Sequence, residues 1–248
     1  MSRMPLIFDI KRTSTVDGPG VRTAVFLKGC NLDCFWCHNP EGKHAEREYA
    51  RFAEKCVSCG VCAREGMSSE ERVALCPTEA RKGYGECYTY EALMDILLAD
   101  RDFYVATGGG VTFSGGECML YPDFIEEMAK RCREKGISVA VDTAGNVPYS
   151  HFEQVIPYTD LFLYDIKCLD SALHSCGTGS GNARILENLT KLQSAGCRIM
   201  IRIPCIPDFN EGEEVERVCR YCEERGLPYE VLAYHRFGED KAKALCST

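Results

Sequence analysis

Two groups of closely spaced cysteines constrain this chain more than any other feature of its sequence. The first group is Cys30, Cys34 and Cys37, with the spacing Cys-x3-Cys-x2-Cys, and the second begins at Cys56. The chain contains 17 cysteines in 248 residues. Residues 1–9 lack the apolar core and cleavage site of a signal peptide, and a reducing cytosol disfavours disulfides. We therefore expect a cytoplasmic protein whose cysteines bind metal.

The charge of the chain excludes several classes of partner. Its formal net charge is −8, and 27% of its residues are charged. An excess of negative charge disfavours nucleic acid and anionic membrane surfaces as partners. No apolar run approaches the roughly 18–20 residues that a membrane-spanning helix needs. We expect a soluble protein that binds neither nucleic acid nor a membrane.

Short apolar runs alternate with amphipathic stretches over most of the chain. The apolar runs, rich in Val, Ile and aromatic residues, predict six buried strands at 21–27, 111–113, 137–141, 161–166, 198–203 and 229–233. Five helices are predicted at 90–98, 124–135, 151–156, 183–195 and 213–225. Strands that alternate with helices form a parallel sheet with crossover helices. We predict an α/β fold, a partial (βα)6 barrel of the TIM type, with a doubly wound sheet as the alternative.

One segment, residues 39–88, interrupts this alternation. It carries five cysteines and many charges, and no part of it predicts a convincing strand. We interpret it as an insert between the first strand and the first helix. The predicted domains are a barrel made of residues 1–38 and 89–248, and a small cysteine-rich insert made of residues 39–88.

The first cysteine group follows directly on the first predicted strand. Three thiolates in one short loop can hold three corners of an iron–sulfur cube, which leaves the fourth iron without a protein ligand. An open iron can bind and activate a small molecule, whereas a cluster held by four cysteines cannot easily do so. A zinc site that takes a fourth ligand, such as His38, is the alternative.

The spacing Cys-x3-Cys-x-aromatic-Cys, with Trp36 as the aromatic residue, resembles that of radical S-adenosylmethionine (SAM) enzymes. In that family the amino and carboxylate groups of SAM chelate the open iron, and reductive cleavage of SAM gives a 5′-deoxyadenosyl radical. A second motif, Ser114, Gly115, Gly116 and Glu117, follows the next strand. Its glycines let the backbone approach a ligand closely. This motif is similar to the one that contacts the amino group of SAM in the family.

Further motifs follow in order and closely resemble those of glycyl radical enzyme activating enzymes. They lie at residues 17–23, 142–145, 165–167, 202–207 and 234–241. The resemblance covers nearly the whole chain. It implies that the adenosyl radical removes a hydrogen atom from one glycine of a partner protein, a glycyl radical enzyme. We expect Asp17 and residues 18–20 at the barrel mouth and assign them to contact with the glycine loop of this partner, with a simple turn as the alternative.

The same resemblance implies which residues bind SAM. Trp36 is expected to pack near the adenine, while Lys167, Arg202 and His235 can donate hydrogen bonds. The full set of expected cofactor-binding residues is Trp36, His38, Ser114, Gly115, Gly116, Glu117, Asp142, Thr143, Asp165, Lys167, Arg202 and His235.

Two of these residues, Asp142 and Asp165, would place negative charges beside the carboxylate of SAM. This arrangement is unfavourable unless a cation lies among them. In related activating enzymes a monovalent cation occupies this place. The resemblance therefore implies a monovalent cation at Asp142, Thr143 and Asp165.

The insert contains a second iron–sulfur motif. Cys56, Cys59 and Cys62 are followed by Cys76 and a proline, as in ferredoxins, although ferredoxins place the fourth cysteine nearer. Many relatives carry eight cysteines and two clusters here, whereas this insert has one triplet and can build one cubane. Cys87 is an alternative fourth ligand, and a zinc ribbon is an alternative site. We expect two [4Fe–4S] clusters in the chain, the second of which relays electrons from a flavodoxin or ferredoxin or orders the insert.

Two rival functions are compatible with parts of this pattern. A radical enzyme that acts on a small molecule or a peptide would share the first cysteine loop. An electron carrier with two clusters would not need the motifs at 114–117 and 165–167. Three other cysteines, Cys132, Cys219 and Cys222, lie in phase with apolar residues of predicted helices, so we expect them in the core.

Overall fold

A computed structural model describes residues 4–246 of the chain. The strands are β1 (Ile7–Ser14), β2 (Arg22–Leu27), β3 (Glu48–Arg51), β4 (Arg81–Tyr84), β5 (Gly110–Gly115), β6 (Ser138–Thr143), β7 (Leu161–Asp165), β8 (Ile199–Cys205) and β9 (Tyr229–Ala233). Seven of them form one sheet in the order β1-β2-β5-β6-β7-β8-β9, and β3 and β4 form a separate hairpin.

Helices connect the strands of the large sheet and flank the hairpin. They are α1 (Ser69–Ala74), α2 (Tyr90–Leu98), α3 (Arg101–Thr107), α4 (Pro122–Glu134), α5 (Tyr149–Val155), α6 (Ser171–Thr178), α7 (Ala183–Ser194), α8 (Glu213–Glu224) and α9 (Phe237–Cys246). Within residues 4–246, no helix is long and apolar enough to cross a membrane.

The order of the strands decides between the two predicted architectures. β2 and β5–β9 run parallel, and within this sheet each pairs with the strand that follows it in chain order. Since right-handed crossovers then all advance in one direction, they place their helices on one face of the sheet. A doubly wound sheet reverses its strand order at a switch point, and this sheet does not. The prediction of a partial barrel with six parallel strands is confirmed.

The convex face of the sheet packs against the helices and forms the main core. Phe162 and Tyr164 of β7 belong to this core because alternate residues of a strand point to the same side. Cys132 of α4 and Cys222 of α8 are fully buried in it, and Cys219 packs against it. The expectation that these three cysteines serve packing is confirmed.

The concave face carries the other half of the strand residues. Leu161, Leu163 and Met200 form a small apolar cluster there. Asp165 and Arg202 continue the same alternation toward the carboxyl ends of β7 and β8. The concave face therefore changes from apolar to charged along the direction of the parallel strands.

The insert contains a hairpin, so the expectation that it has no strand is wrong. β3 and β4 pair antiparallel, with Glu48 opposite Tyr84 and Arg51 opposite Arg81. Their sequences, Glu-Tyr-Ala-Arg and Arg-Lys-Gly-Tyr, are short and charged. Such segments lack the apolar pattern by which strands are recognised. These segments are extended because each forms backbone hydrogen bonds with the other.

The hairpin is attached to the barrel through β1 and β2. The backbones of Ile7 and Glu86 exchange hydrogen bonds of 2.9 and 2.8 Å. Lys28, at the end of β2, is buried and its Nζ lies 2.7 Å from Glu48 Oε2. β1 itself was not predicted because charged residues interrupt its apolar pattern, and it runs antiparallel to β2 at the edge of the sheet.

The last helix, α9, attaches the insert from the other side. Ala244 shares an apolar cluster with Ala50 of β3 and Tyr84 of β4. Lys241 Nζ lies 2.6 Å from Glu41 Oε1, at the start of the insert. α9 was not predicted, and neither were α1, α3 and α6, which are too short to show a helical period.

Asn188 of α7 supports the loop that follows β6 and provides a test of the fold. Its buried side-chain amide donates to the carbonyl oxygens of Gly145 (2.9 Å) and Val147 (2.8 Å). We expect Asn188→Ala to lower the free energy of unfolding by about 1–3 kcal/mol, because two buried carbonyls lose their donor. Thr190→Ala removes only an exposed bond within α7 and should cost less than about 0.5 kcal/mol. Denaturant unfolding measures both, and equal losses would contradict the role of Asn188.

Candidate active site

The carboxyl ends of the parallel strands bring most of the predicted site residues to one edge of the sheet. The cysteine loop follows β2, the Ser-Gly-Gly-Glu motif spans the end of β5, and Asp142, Asp165 and Arg202 lie at or near the ends of β6, β7 and β8. This edge is where barrel enzymes build their active sites.

The cysteine loop, residues 29–38, is held by backbone hydrogen bonds from both sides. Asp33 N donates to Thr178 O (2.7 Å), and Phe35 N donates to Gly177 O (3.2 Å), so the end of α6 accepts two amides of the loop. On the other side, Cys30 N donates to Lys43 O of the insert (2.9 Å). The conformation of the loop therefore depends on both α6 and the insert.

The three thiols of this loop share one cavity. Cys30, Cys34 and Cys37 line a space of about 150 Å³, together with the buried Lys167. Burial raises the pKa of Cys30 to about 12 and also raises the pKa values of Cys34 and Cys37. Thiolates are costly in this place unless a positive charge such as that of iron binds them.

The three thiols are placed so that one group can contact them all. Cys30, Cys34 and Cys37 line the same cavity, as an iron–sulfur cube held at three corners requires. Within residues 4–246, no group of three His, Cys, Asp or Glu side chains is arranged to hold a single metal ion. The choice between a cluster and zinc stays a prediction.

Two glycines allow neighbouring segments to press against the cysteine loop and its flank. A Cβ atom at Gly116 would lie 2.3 Å from Gly29 O and 2.4 Å from Gly42 O. A Cβ atom at Gly238, in α9, would lie 2.2 Å from Cys37 O. No side chain fits at either position. The motif after β5 and the start of α9 thus enclose the loop.

The carboxylates of the site have cationic neighbours from the chain itself. Lys167 Nζ lies 2.8 Å from Asp165 Oδ2. Asp142 Oδ2 accepts a hydrogen bond from Ser114 Oγ (2.7 Å) and lies 3.4 Å from Arg202 Nη1. Burial raises the pKa of Asp142 to about 6. The positive charge of Arg202 lowers this pKa, and the negative charge of Asp165 raises it further. Lys167 and Arg202 therefore neutralise part of the negative charge of Asp165 and Asp142, beside which a monovalent cation is expected.

Glu117 and Thr143 lie in the wall of the site and do not line the cysteine cavity. The carboxylate of Glu117 accepts hydrogen bonds from Thr143 Oγ1 (2.7 Å), Ala144 N (2.9 Å) and Met119 N (3.0 Å). Burial raises the pKa of Glu117 to about 7, while these donors lower it. In this arrangement Glu117 joins the end of β5 to the end of β6. The expected contacts of Glu117 and Thr143 with SAM or a cation stay predictions.

Aromatic side chains flank the cavity on two sides. Trp36 is buried and packs on Phe209, with ring centroids 4.3 Å apart. His38 stacks on His235 at 4.0 Å. Burial, and then the neighbouring His235, lower the pKa of His38 to about 4. Its Nε2 is buried without a hydrogen-bond partner among residues 4–246. A ligand in the cavity that His38 lines could provide the missing partner.

The insert has a cysteine cavity of its own. Cys56, Cys59, Cys62 and Cys76 line a space of about 270 Å³. Cys87 is exposed and does not line it. The structure therefore favours Cys76 over Cys87 as the fourth cysteine of this group.

Two arginines line the same insert cavity. Arg51 and Arg81 lie directly opposite each other in the hairpin, and neither forms a salt bridge within the described part of the chain. Arg51 Nη2 lies 3.9 Å from Cys56 Sγ. Like charges placed opposite each other destabilise a hairpin. A negatively charged group in the cavity would relieve this repulsion.

Asp17 lies elsewhere than expected: its placement at the barrel mouth is wrong. Residues 15–21 join β1 to β2 at the amino ends of the parallel strands, opposite the cysteine loop. Asp17 is buried, its carboxylate accepts a hydrogen bond from Ser14 Oγ, and its carbonyl accepts one from Thr112 Oγ1 (2.6 Å). The antiparallel strand β1 places this turn at the amino ends of the parallel strands. Because β1 was not predicted, the turn was expected at the opposite end of the barrel.

The turn closes the base of the barrel, and we call residues 15–19 the floor loop. A cavity of about 780 Å³ lies between the floor loop and the concave face of β7, β8 and β9. Leu163 and Met200 line it, as does Arg202, whose Nη2 donates to Val16 O (3.3 Å). Asp17 does not line this barrel cavity. Arg202 thus reaches from the floor loop to the carboxylate of Asp142.

Two residues that contact the site were not selected from the sequence. Phe209 follows β8, and Gly177 lies in α6. A glycine inside a helix weakens the helix, so its presence there indicates close packing. This signal could have identified Gly177 had α6 been predicted, whereas no comparable signal marks Phe209. Gly238 belongs to the motif at 234–241, but its contact with Cys37 was not predicted.

Comparison with known proteins agrees with the geometry. The Radical SAM superfamily matches residues 24–222. The isethionate sulfite-lyase activating enzyme of Oleidesulfovibrio alaskensis is 35% identical over 263 residues, which cover 95% of this chain and 85% of that relative. The trans-4-hydroxy-L-proline dehydratase activating enzyme of Clostridioides difficile is 36% identical over 261 residues, which cover 96% of this chain and 86% of that relative.

A solved structure supports the fold alone. SuiB of Streptococcus suis, bound to the precursor peptide SuiA, has a TM-score of 0.58 and 17% identity, over 87% of this chain and 39% of that one. The cysteine loop at the carboxyl edge of a six-stranded partial barrel and the extent of similarity to the two activating enzymes lead to one conclusion: this chain belongs to the radical SAM superfamily and, within it, to the activating enzymes of glycyl radical enzymes.

Proposed function

We propose that Cys30, Cys34 and Cys37 hold the [4Fe–4S] cluster of this activating enzyme and that SAM binds between these cysteines and the barrel cavity. The observation that carries the proposal is that all three thiols line one cavity. The unpartnered Nε2 of His38 at the same cavity supports it. When bound, the cluster and SAM supply the reductive cleavage that gives a 5′-deoxyadenosyl radical, which takes a hydrogen atom from the glycine of the partner enzyme.

The residues of the chain bind and shield these groups. Lys167 is buried beside the cysteines, so its ammonium group can neutralise the carboxylate of SAM. Trp36 and Phe209 offer an apolar surface to the adenine. The stacked rings of His38 and His235 exclude water from the side nearest α9. No side chain needs to act as an acid or a base.

The glycine-bearing segment of the partner enzyme enters the barrel cavity in this proposal. The cavity is large enough for a peptide segment, and Leu163, Met200 and Leu232 make its lining apolar. Val16 of the floor loop is largely exposed beside it. Asp17 then acts by fixing the floor loop through Ser14 and Thr112, and its neighbours in the loop contact the partner.

A second [4Fe–4S] cluster at Cys56, Cys59, Cys62 and Cys76 accounts for the composition of the insert cavity. A cubane held by four thiolates carries a net negative charge. This charge would relieve the repulsion between the opposed Arg51 and Arg81. A zinc ribbon at the same four cysteines is the alternative. Residues 39–88 thus form a domain that receives electrons from a flavodoxin or ferredoxin and passes them to the first cluster.

Iron content tests both clusters. We expect about eight irons per chain after anaerobic reconstitution. The triple variant Cys30→Ala, Cys34→Ala, Cys37→Ala should lose about four irons and all release of 5′-deoxyadenosine from SAM. The double variant Cys56→Ala, Cys59→Ala should lose about four irons and still bind SAM. Metal analysis, electron paramagnetic resonance and chromatography of the products measure these outcomes.

The same experiment can refute either assignment. A triple variant with full iron and full SAM cleavage would show that the first cluster lies elsewhere, and zinc in the insert would refute the second cluster. With a glycyl radical enzyme encoded beside this chain as the partner, the wild type should also generate a glycyl radical signal. The triple variant should generate none.

A substitution at Gly116 tests whether close packing of the motif after β5 holds the cysteine loop in place. Gly116→Ala places a Cβ atom against the carbonyl oxygens of Gly29 and Gly42, so the loop must move. We expect the iron bound by the first cluster, and SAM binding with it, to fall severalfold. Gly83→Ala is a suitable control because its Cβ atom would meet Tyr49 at an ordinary 3.5 Å. Wild-type iron content in Gly116→Ala would contradict the enclosure.

A monovalent cation at Asp142, Thr143 and Asp165 completes the proposal. Asp165→Ala should abolish the response of SAM affinity to potassium or sodium while the iron content stays unchanged. Lys167→Ala should weaken SAM binding by about 2–5 kcal/mol and keep the cation response, because it removes a desolvated charge partner. Calorimetric titration of SAM in different monovalent salts measures both. If the SAM affinity of Asp165→Ala responds to these salts as the wild type does, Asp165 does not bind a cation and serves only as the ion-pair partner of Lys167.

A further inference from the structure

The loop that carries Lys167 is held by side chains from distant parts of the chain. We call residues 166–170, which follow β7, the lysine loop. Asn182, at the start of α7, donates from Nδ2 to two carbonyl oxygens of this loop, at 3.0 and 2.9 Å. Asn210, in the segment after β8, donates from Nδ2 to Lys167 O (2.6 Å). The position of Lys167 therefore depends on residues outside its own loop.

The side chain of Asn210 makes contacts with two segments at once. It is buried, its Nδ2 also donates to Pro204 O (2.6 Å), and its Oδ1 accepts from Ile206 N (2.7 Å). Reversing the amide would place its oxygen against two carbonyl oxygens, so these partners allow one orientation only. Asn210 thus joins the end of β8 to the lysine loop.

The backbone beside Asn210 leads to the other side of the cysteine cavity. Phe209 precedes it and packs on Trp36, with ring centroids 4.3 Å apart. The backbone amides of Phe209 and Asn210 both donate to Ile206 O, each at 3.2 Å. This turn fixes the ring of Phe209 relative to the amide of Asn210. Trp36 and Lys167 both line the cysteine cavity.

Asn210 itself does not line that cavity. Both N–H groups of its amide already donate to carbonyl oxygens, so it has no donor left for a ligand. Any effect of Asn210 on a ligand must pass through Lys167, whose backbone it binds, or through Phe209, which adjoins it.

We propose that Asn210 is a positioning residue for SAM. It holds Lys167 at the carboxylate of SAM and Phe209 at the adenine, so one buried amide sets the spacing between the two ends of the cofactor site. This inference rests on the proposed SAM site and adds the residue that relates its two ends. Lys167 Nζ lies 2.8 Å from Asp165 Oδ2, and a displaced lysine loop would move this ammonium group.

The variant Asn210→Asp tests the proposal. Its side chain has the same size, but a carboxylate cannot donate to the carbonyl oxygens of Lys167 and Pro204. We expect SAM affinity to fall about tenfold, because Lys167 and Phe209 lose their spacing, while the iron content stays at the wild-type value. Calorimetric titration of SAM into the reconstituted protein and metal analysis measure these quantities. Wild-type affinity overturns the proposal.

A double-mutant cycle shows whether Asn210 acts through Lys167. Lys167→Ala keeps the backbone carbonyl that Asn210 binds and removes the ammonium group. In this background, Asn210→Asp should lower SAM affinity by no more than about threefold, because only the route through Phe209 remains. A tenfold loss in both backgrounds means that the two residues act independently, and it overturns the proposal.

The control for a general loss of stability is Val155→Ala. Val155 lies in α5, is fully buried in the main core and does not line the cysteine cavity. This variant should unfold at lower denaturant concentration and keep SAM affinity within about twofold. If Val155→Ala loses as much SAM affinity as Asn210→Asp, the effect of Asn210 is one of stability alone. Should Asn210→Asp not fold, the neutral and smaller Asn210→Ser takes its place in the cycle.

Lys167→Ala alone separates this inference from the proposed function. If Lys167→Ala binds SAM as tightly as the wild type, the proposed SAM site is wrong and the role of Asn210 falls with it. If Lys167→Ala binds SAM more weakly while Asn210→Asp binds it as the wild type does, the SAM site stands and only the role of Asn210 is overturned.

Discussion

The cost of ionising three thiols that share one small cavity is the constraint on which the rest of the site depends. Cys30, Cys34 and Cys37 lie in an apolar loop, and burial strongly disfavours their charged forms. Leu32 N donates to Cys30 Sγ (3.4 Å), whereas the amides of Asp33 and Phe35 donate to α6 and that of Cys30 donates to the insert. The loop thus uses most of these amides to fix its shape, and a bound metal would compensate the charge of the thiolates.

Arg202 links the two functional spaces of the barrel. Its guanidinium group lies between Asp142, the carboxylate of Glu230 (3.1 Å) and the carbonyl of Val16 in the floor loop. A partner segment that displaces the floor loop must also change these contacts. The charge environment at the ends of β6 and β8 therefore responds to occupation of the barrel cavity. In the proposed arrangement, one side chain would thus connect the partner segment to the cofactor site.

The sequence was informative where chemistry or periodicity is local. The spacing of Cys30, Cys34 and Cys37 and the apolar runs of the six parallel strands are local signals, and they indicated the family and the architecture. The β3–β4 hairpin depends on pairing between distant segments, so its charged strands carried no signal of their own. Asp17 was misplaced for a related reason, since its position depends on the direction of β1. Contacts such as Gly238 with Cys37 depend on tertiary packing alone.

The contact between α9 and the cysteine loop also has a consequence for how the protein is made. α9 follows every strand of the barrel in the chain, and Lys241 contacts Asn39 across 202 positions. During translation the barrel strands can form while the loop is still uncovered on that side. Gly238 then packs directly against Cys37 and closes it. The cysteine loop therefore stays open on this side until α9 has been synthesised and has packed against it.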